Sequence, residues 1–362
     1  MRTLANKPDM SQVYQSDFDS IFPYSRIKRC LANKNTGEIA MFLSDETSLK
    51  TIDGLPITIT DTTYDVMVYI PAFYYKVTFN DNKTEYTILR DEVTTRYKED
   101  CEVHPAFIRP DGTIRPHVLV GAYKGSEADG QLRSISGVKP SVNKTLASYR
   151  SLARQGRTTN HNINTLQIIS AIQLLYIVEF SNLNSQAMIG NGWTSKSESA
   201  VTGSTNELGN KSGYLGVNGN QISYRGIEDF WGNIWEFVDG LLIKDDGYYI
   251  TNNPAYFGSA SSSTKIAITP LTSTSSNAND GYVTEMQRAK AIDYCFFPKA
   301  VGGSETTYWC DYHWSHDQTE ENIALFGADW AHGSRAGAFC WYWAHVASNA
   351  WASVGARLVF LP

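Results

Sequence analysis

Short apolar runs separated by turn-like sequences dominate the chain, and this pattern predicts β-strands. The first 60 residues contain the runs IAMFL and LPITI, and the alternation strengthens in MVYIPAFYYKVTF, EYTILR and VLVGAY. Helical spacing occurs instead in residues 164–181 and in KTLASYRSLARQG, which ends at Gly156. Residues 194–220 and 258–281 are dominated by Ser, Thr, Asn and Gly, and we predict long surface loops there.

The length of 362 residues suits one large domain and a smaller one. We predict a small β-rich N-terminal module at residues 1–60 and a larger domain at residues 61–362. The net charge of -6 and the lack of a basic stripe argue against nucleic-acid binding. The first twenty residues lack an apolar segment, so no signal peptide is expected. The longest apolar run, IISAIQLLYIVEF, is too short to cross a bilayer, so no membrane insertion is expected.

No cofactor or metal is predicted from the reactive side chains. The five cysteines are scattered and include no CxxC, which fits neither a disulfide framework nor a zinc ribbon. CDYHWSH offers Cys310, His313 and His316, but its alternating aromatic residues indicate a strand, where positions three apart face opposite sides. The acidic pair at 245–246 is too small to indicate a calcium site, and no GxSxG element positions a nucleophile.

The segment GIEDFWGNIWEFVD, residues 226–239, is the most informative in the middle of the chain. Gly232 permits a tight turn, while Trp231 and Trp235 supply large side chains for a core. Glu236 requires a buried partner if it lies inside.

This segment resembles the GNVWEW motif of formylglycine-generating enzymes. Four further segments resemble motifs of that family in the same order: YIPAFYYK at 69–76, the helix around 167–180, FGADW at 326–330 and GARLV at 355–359. The resemblance implies an α+β protein with a C-type lectin fold of the formylglycine-generating-enzyme type, from about residue 65 to the end. The family's two copper-binding cysteines are replaced by His332 and Gly337, so the oxidase chemistry is not expected here.

The C-terminal segment, residues 327–360, has an unusual composition. Six of the nine tryptophans lie between Trp309 and Trp351, and no Lys, Glu, Gln or Met follows Glu321. Small and polar residues interrupt the aromatic ones, which is typical of a binding surface with rigid anchors. An aromatic core with loose loops is the alternative.

The same segment resembles the variable region of proteins diversified by retroelements, the tropism-determinant-like family of tailed phages. In that family, copying randomises the adenines of a template, and its AAC codons cannot become codons for Lys, Glu, Gln, Met or Trp. The resemblance implies a fixed framework of Trp330, Gly333, Gly337, Phe339, Trp341, Gly355 and Arg357. It implies variable, ligand-binding positions at Asp329, Ala331, His332, Arg335, Cys340, Tyr342, Ala344, His345, Ala350 and Ala352.

The sequence therefore predicts a receptor-binding protein of a phage or prophage tail, made in the bacterial cytoplasm, with no enzyme activity. The expected partners are a bacterial surface receptor, other tail proteins and further copies of the chain, a trimer being one form. A divergent sulfatase-modifying enzyme and a calcium-dependent glycan-binding lectin are the alternatives. We expect Asp329, His332, Arg335, Tyr342 and His345 to be exposed and close together, above the buried framework residues Trp330, Phe339 and Arg357.

Overall fold

The chain folds mainly into β-strands, as seen in a computed structural model. It describes residues 2–5, 18–59, 62–81, 83–89, 101–272, 279–315 and 321–362. Within these ranges, 24 short strands form five sheets, and three segments form α-helices. The protein is thus mostly β with few helices.

A six-stranded antiparallel sheet joins the beginning of the chain to its end. Its strands, in spatial order, are β11 (His161–Ile163), β24 (Leu358–Phe360), β8 (His117–Gly121), β4 (Tyr64–Pro71), β2 (Lys28–Asn33) and β3 (Ile39–Phe42). β2 and β3 belong to the segment predicted as the N-terminal module, and β2 pairs with β4 along its whole length. The division into two domains at residue 60 stays a prediction.

A nine-stranded sheet contains the aromatic C-terminal segment. In spatial order its strands are β17 (Thr264–Ile266), β16 (Gly247–Ile250), β15 (Trp235–Lys244), β21 (Asn322–Phe326), β22 (Trp341–His345), β20 (Tyr312–Trp314), β18 (Gly281–Met286) and β19 (Pro298–Val301), with β23 (Val354–Gly355) beside β15. β20 runs parallel to β22, and β23 runs parallel to β15.

Three smaller sheets complete the β structure of the described residues. The first contains β1 (Arg2–Ala5), β6 (Lys83–Leu89), β5 (Tyr74–Asn80) and β7 (Glu102–Val103). The second pairs β9 (Ser126–Ala128) with β10 (Gln131–Arg133), and the third contains β12 (Gly213–Tyr214), β13 (Ile222–Tyr224) and β14 (Ile227–Glu228).

Both helices predicted from the sequence are confirmed, as α1 (Leu146–Arg154) and α2 (Leu166–Phe180). Each begins after a threonine, Thr145 or Thr165, whose side chain accepts a hydrogen bond from a backbone N–H of the first turn. Every residue of α2 from Leu166 to Val178 is buried, because the helix packs against both β6 and β15. A short α3 (Ser185–Ile189) follows. None of the described helices has the length and apolar character needed to cross a membrane.

Glu236, on β15, is buried and has the partners that a buried carboxylate requires. Its carboxylate accepts hydrogen bonds from Lys124 Nζ at 2.8 Å, Arg357 Nε at 2.8 Å and Asn164 Nδ2 at 2.9 Å. The side chains of Glu236, Lys124 and Arg357 are fully buried. Burial alone would raise the pKa of Glu236, but Arg357 and Lys124 outweigh it and lower this pKa to about 2. The network joins the WGNIWEF and GARLV segments.

Candidate functional site

Two adjacent strands, β20 and β22, divide the aromatic residues between the two faces of the nine-stranded sheet. Side chains alternate along a strand. On β22, Trp341 and Trp343 are fully buried, whereas Tyr342 and Ala344 between them are half-buried. On β20 the pattern is the same, with His313 buried between two partly exposed aromatic residues. The predicted strand in CDYHWSH is thereby confirmed.

The inward-facing tryptophans form a rigid core under the sheet. Trp341 Nε1 donates a hydrogen bond to Phe296 O at 3.0 Å, and its ring packs edge-on against Phe326 with centroids 5.1 Å apart. Trp343 packs edge-on against Tyr248 at 5.6 Å and against His313 at 4.5 Å. The tryptophan-rich sequence therefore supplies core packing on one face only.

The outward-facing rings form a layer, which we call the aromatic surface. Its members are all at least partly exposed and are Tyr282, Tyr312, Trp314, His332, Tyr342 and Trp351. Tyr282 and Tyr312 are opposite each other on paired strands with ring centroids 5.2 Å apart, and Tyr312 packs against Trp314 at 4.5 Å. Trp314 is stacked on Tyr342 at 5.8 Å, because strand register places these two residues side by side.

Trp235 lies directly beneath the aromatic surface and is only 3% exposed. Its ring contacts Trp314 at 5.4 Å, His332 at 5.3 Å and Tyr342 at 5.7 Å, each edge-on. This residue was predicted as core from the WGNIWEF segment, and its burial confirms the prediction. Its position shows that the middle motif of the chain supports the C-terminal surface.

Asp329 fixes the loop that carries His332. The Asp329 carboxylate accepts a hydrogen bond from the backbone N–H of Ala331 at 2.8 Å and contacts His332 Nδ1 at 2.6 Å. The His332 ring is thereby held edge-on against Trp314 at 5.0 Å. Asp329 itself is 5% exposed, so the expectation that it is exposed is wrong: its side chain is used to close the loop.

His345 and Cys340 also differ from the expectation of exposed variable positions. His345 is 2% exposed because it is stacked on Tyr342 at 4.7 Å and covered edge-on by Trp351 at 4.1 Å. Cys340 is fully buried, just before the strand that carries the core tryptophans. Neither side chain can present its own surface to a ligand in this structure.

The other predicted positions reach the surface to different extents. Ala331, Arg335, Ala350 and Ala352 are exposed, and His332, Tyr342 and Ala344 are half-buried. Asp329, His332, Tyr342 and His345 form one connected group through the contacts above. Among the predicted framework residues, Phe339 and Arg357 are fully buried as expected, while Trp330 is half-buried. The role of these positions in binding a ligand stays a prediction.

Arg335 and Asp280 place charges beside the tyrosines of the aromatic surface. The Arg335 guanidinium lies 5.2 Å from the centre of the Tyr312 ring. Asp280 Oδ1 accepts a hydrogen bond from Ser315 N at 2.7 Å. Burial, and then the Asp280 carboxylate, raise the pKa of both Tyr312 and Tyr342, so both hydroxyls are neutral hydrogen-bond donors at neutral pH.

Positions 332 and 337, which correspond to the copper-binding cysteines of formylglycine-generating enzymes, have structural roles in this chain. His332 is paired with Asp329. At position 337, an added Cβ would lie only 2.0 Å from Asp311 Oδ1, so glycine is required by the close approach of that carboxylate.

Of the histidine and acidic side chains considered as metal ligands, those that the structure describes make other contacts. His313 is buried with Nε2 3.1 Å from Leu271 O, and burial lowers its pKa to about 4. His316 lies outside the described residues. Asp246 pairs with Lys265. Within the part of the chain that the structure describes, no three His, Cys, Asp or Glu residues are grouped so as to hold a metal.

Sequence reasoning missed Tyr282, Tyr312 and Trp314 as members of the surface. The alternation in CDYHWSH indicated that Tyr312 and Trp314 share a face, and that signal could have identified them. Tyr282 joins them only through the pairing of β18 with β20, which no local pattern reveals.

Comparison with known proteins gives structural neighbours of the kind that the C-terminal segment resembles. The scan against family models and the search of curated proteins both give no match. Among solved structures, the chain is similar to Treponema denticola variable protein 1, at 11% identity and a TM-score of 0.35, covering 84% of this chain and 98% of that one. It is also similar to the Major Tropism Determinant U1 variant (12% identity, TM-score 0.29, 92% of this chain and 72% of that one) and P3c variant (10%, 0.29, 96% and 85%).

Proposed function

We propose that the protein is a receptor-binding protein of a phage or prophage tail, which recognises its host through the aromatic surface. In this proposal the chain has a C-type lectin fold of the formylglycine-generating-enzyme type, with residues 327–360 forming the diversified segment. The ligand is a protein or glycan of the bacterial surface. The chain acts as an oligomer with other tail proteins, and it has no catalytic role.

The observation that carries the proposal is the placement of the partly exposed rings over a buried aromatic support. Rigid aromatic side chains supply contact area at low entropic cost. Tyr312 and Tyr342 add hydroxyl donors, and the exposed Arg335 adds a cation suited to bidentate contacts with acidic groups. Such a combination of aromatic anchors, tyrosine hydroxyls and arginine is typical of the centre of a binding interface.

A comparison of matched variants tests the proposal. The full chain, fluorescently labelled, is mixed with intact cells of the bacterium whose genome carries the gene and of related strains. The binding variant combines His332→Ala, Arg335→Ala and Tyr342→Ala. The control variant combines Leu55→Ala and Val217→Ala, which are 64% and 69% exposed and lie outside the nine-stranded sheet.

We expect the control to bind like the wild type and the binding variant to lose at least tenfold in affinity while remaining folded. Equal binding by a folded binding variant would contradict the proposal. For the retroelement part, the flanking DNA should contain a reverse transcriptase gene and a near-copy of the 3′ end, with adenines at the codons of the variable positions. For the tail location, antibodies against the chain should label the tails of induced virions.

A further inference from the structure

A polar cleft of about 250 Å³ lies beside the aromatic surface and contains a buried carboxyl group. One wall is the loop that carries Ser334, whose Oγ is 2.9 Å from Tyr282 Oη. The cleft has room for several waters or one side-chain-sized group. Its polar lining includes Asn184, Gln186, Glu305, Cys310, Asp311 and Ser334.

Asp311 has fewer partners than a buried carboxylate requires. It is 1% exposed, and its Oδ2 accepts one hydrogen bond, from Phe339 N at 2.7 Å. Among the described residues, no hydrogen bond is made to its Oδ1 and no Lys, Arg or His pairs with it. The titratable groups that face it are Tyr176, Cys310 and Cys340, and none of these is a cation. Burial without a cation raises the pKa of Asp311 well above its usual range.

A cation in the cleft would supply the positive charge that the buried Asp311 lacks and would favour its ionised form, so the cleft suits a positive ligand. The only ionisable carboxyl groups on its described walls are Asp311 at the bottom and the exposed Glu305 at the rim, and no basic side chain lines it. Gln186 uses its Nε2 to bind Gly333 O and Ala336 O, which leaves its amide oxygen as a further acceptor. We propose that this cleft binds a primary ammonium group, from either a lysine side chain or a free alkylamine.

The geometry distinguishes an ammonium from other cations. A guanidinium binds best through two parallel hydrogen bonds to one carboxylate, but Asp311 has only Oδ1 available. An ammonium is a compact charge that needs single acceptors from several directions. A metal ion is disfavoured because the described residues contain no group of three metal-ligating side chains. The inference goes beyond the proposed function, and neither depends on the other.

Ligand-observed NMR titration of the full chain tests the site with two probes. Butylamine represents a free amine, and N-acetyl-lysine methylamide represents a lysine side chain. Tetramethylammonium, which has the charge but no N–H donor, is the control at equal ionic strength. We expect saturable binding of the amines and none of tetramethylammonium. Binding of both amines indicates that the site admits a lysine side chain, and binding of butylamine alone indicates a site for free amines.

Three variants complete the test. Asp311→Asn keeps an acceptor for the Phe339 N–H and should weaken amine binding at least tenfold. Thr306→Arg changes an exposed residue at the rim, and the positive charge that it adds there should repel the probe and weaken its binding whether or not the first variant folds. Asp246→Asn, an exposed carboxylate elsewhere, should bind like the wild type. Absence of saturable binding, or wild-type affinity in folded Thr306→Arg, would overturn the assignment.

Discussion

Replacing Glu236 with Gln tests whether the buried ionic network holds the fold together. The change keeps the shape of the side chain but removes the charge that faces Lys124 and Arg357, both fully buried. Removing one partner of a buried ion pair typically costs about 3–5 kcal/mol, because the remaining charge is left uncompensated. The pKa provides a second measure. The fall from 4.5 to about 2, at about 1.4 kcal/mol for each pKa unit, corresponds to roughly 3 kcal/mol.

The pH dependence of this contribution has a definite sign. The folded pKa of Glu236 is lower than the unfolded one, so its stabilisation is complete above pH 4.5 and is lost as the pH falls towards 2. Urea unfolding followed by tryptophan fluorescence at pH 7 should show E236Q less stable than the wild type by about 3–5 kcal/mol. The difference should shrink between pH 4.5 and pH 2.

Glu285→Gln is the matched control for this experiment. Glu285 also lies on a strand and pairs with a lysine, Lys299, but both side chains are about half exposed. Its loss should change the unfolding free energy by less than about 1 kcal/mol. If E236Q unfolds within about 0.5 kcal/mol of the wild type at pH 7, the network does not stabilise the fold and the reasoning is refuted.

Three further predictions concern Trp235, Asp229 and the absence of formylglycine-generating activity. Trp235→Ala should cost about 3–5 kcal/mol and weaken cell binding, since it removes the support under Tyr342; a melting temperature within about two degrees of the wild type would contradict this. Burial and then Glu228 raise the pKa of Asp229 from 3.8 to about 7, so the folded state binds a proton that the unfolded state releases, and stability should fall as the pH rises from about 4 to 7. Asp229→Asn should abolish that fall in denaturant titrations and be the more stable form at pH 8. Incubation with copper and a cysteine-containing sulfatase peptide should give no formylglycine by mass spectrometry; detection of the aldehyde would restore the enzyme alternative.

Local patterns in the sequence predicted the features that depend on neighbours along the chain. The spacing of apolar residues predicted α2 to within two residues at each end. The helix is buried on all sides, but polar residues mark where it begins and ends. The WGNIWEF segment required a core tryptophan and a partner for Glu236, and both are present. The identity of that partner, Lys124 together with Arg357, follows only from the tertiary fold, since these residues are 112 and 121 positions away.

The exposure of the C-terminal positions was the least predictable feature. Side-chain type indicated that Asp329 and His345 face solvent, since an aspartate is rarely buried unless it is paired and histidine is buried less often than apolar residues. The structure buries both, because one carboxylate accepts the hydrogen bonds of its own loop and one ring is enclosed between Tyr342 and Trp351. Both effects arise from contacts within the segment, so composition alone could not reveal them.

This burial limits what diversification of the segment could achieve. A larger side chain at Cys340 would have to enter a filled core, which usually costs about 1–3 kcal/mol. Loss of Asp329 would release the loop that orients His332. At Ala331, Arg335, Ala350 and Ala352, by contrast, the side chains are exposed, and substitutions there typically change stability by less than about 0.5 kcal/mol. If the segment is diversified, homologous copies should therefore vary freely at the exposed positions and retain small residues at 340, because variation there is limited by folding rather than by binding.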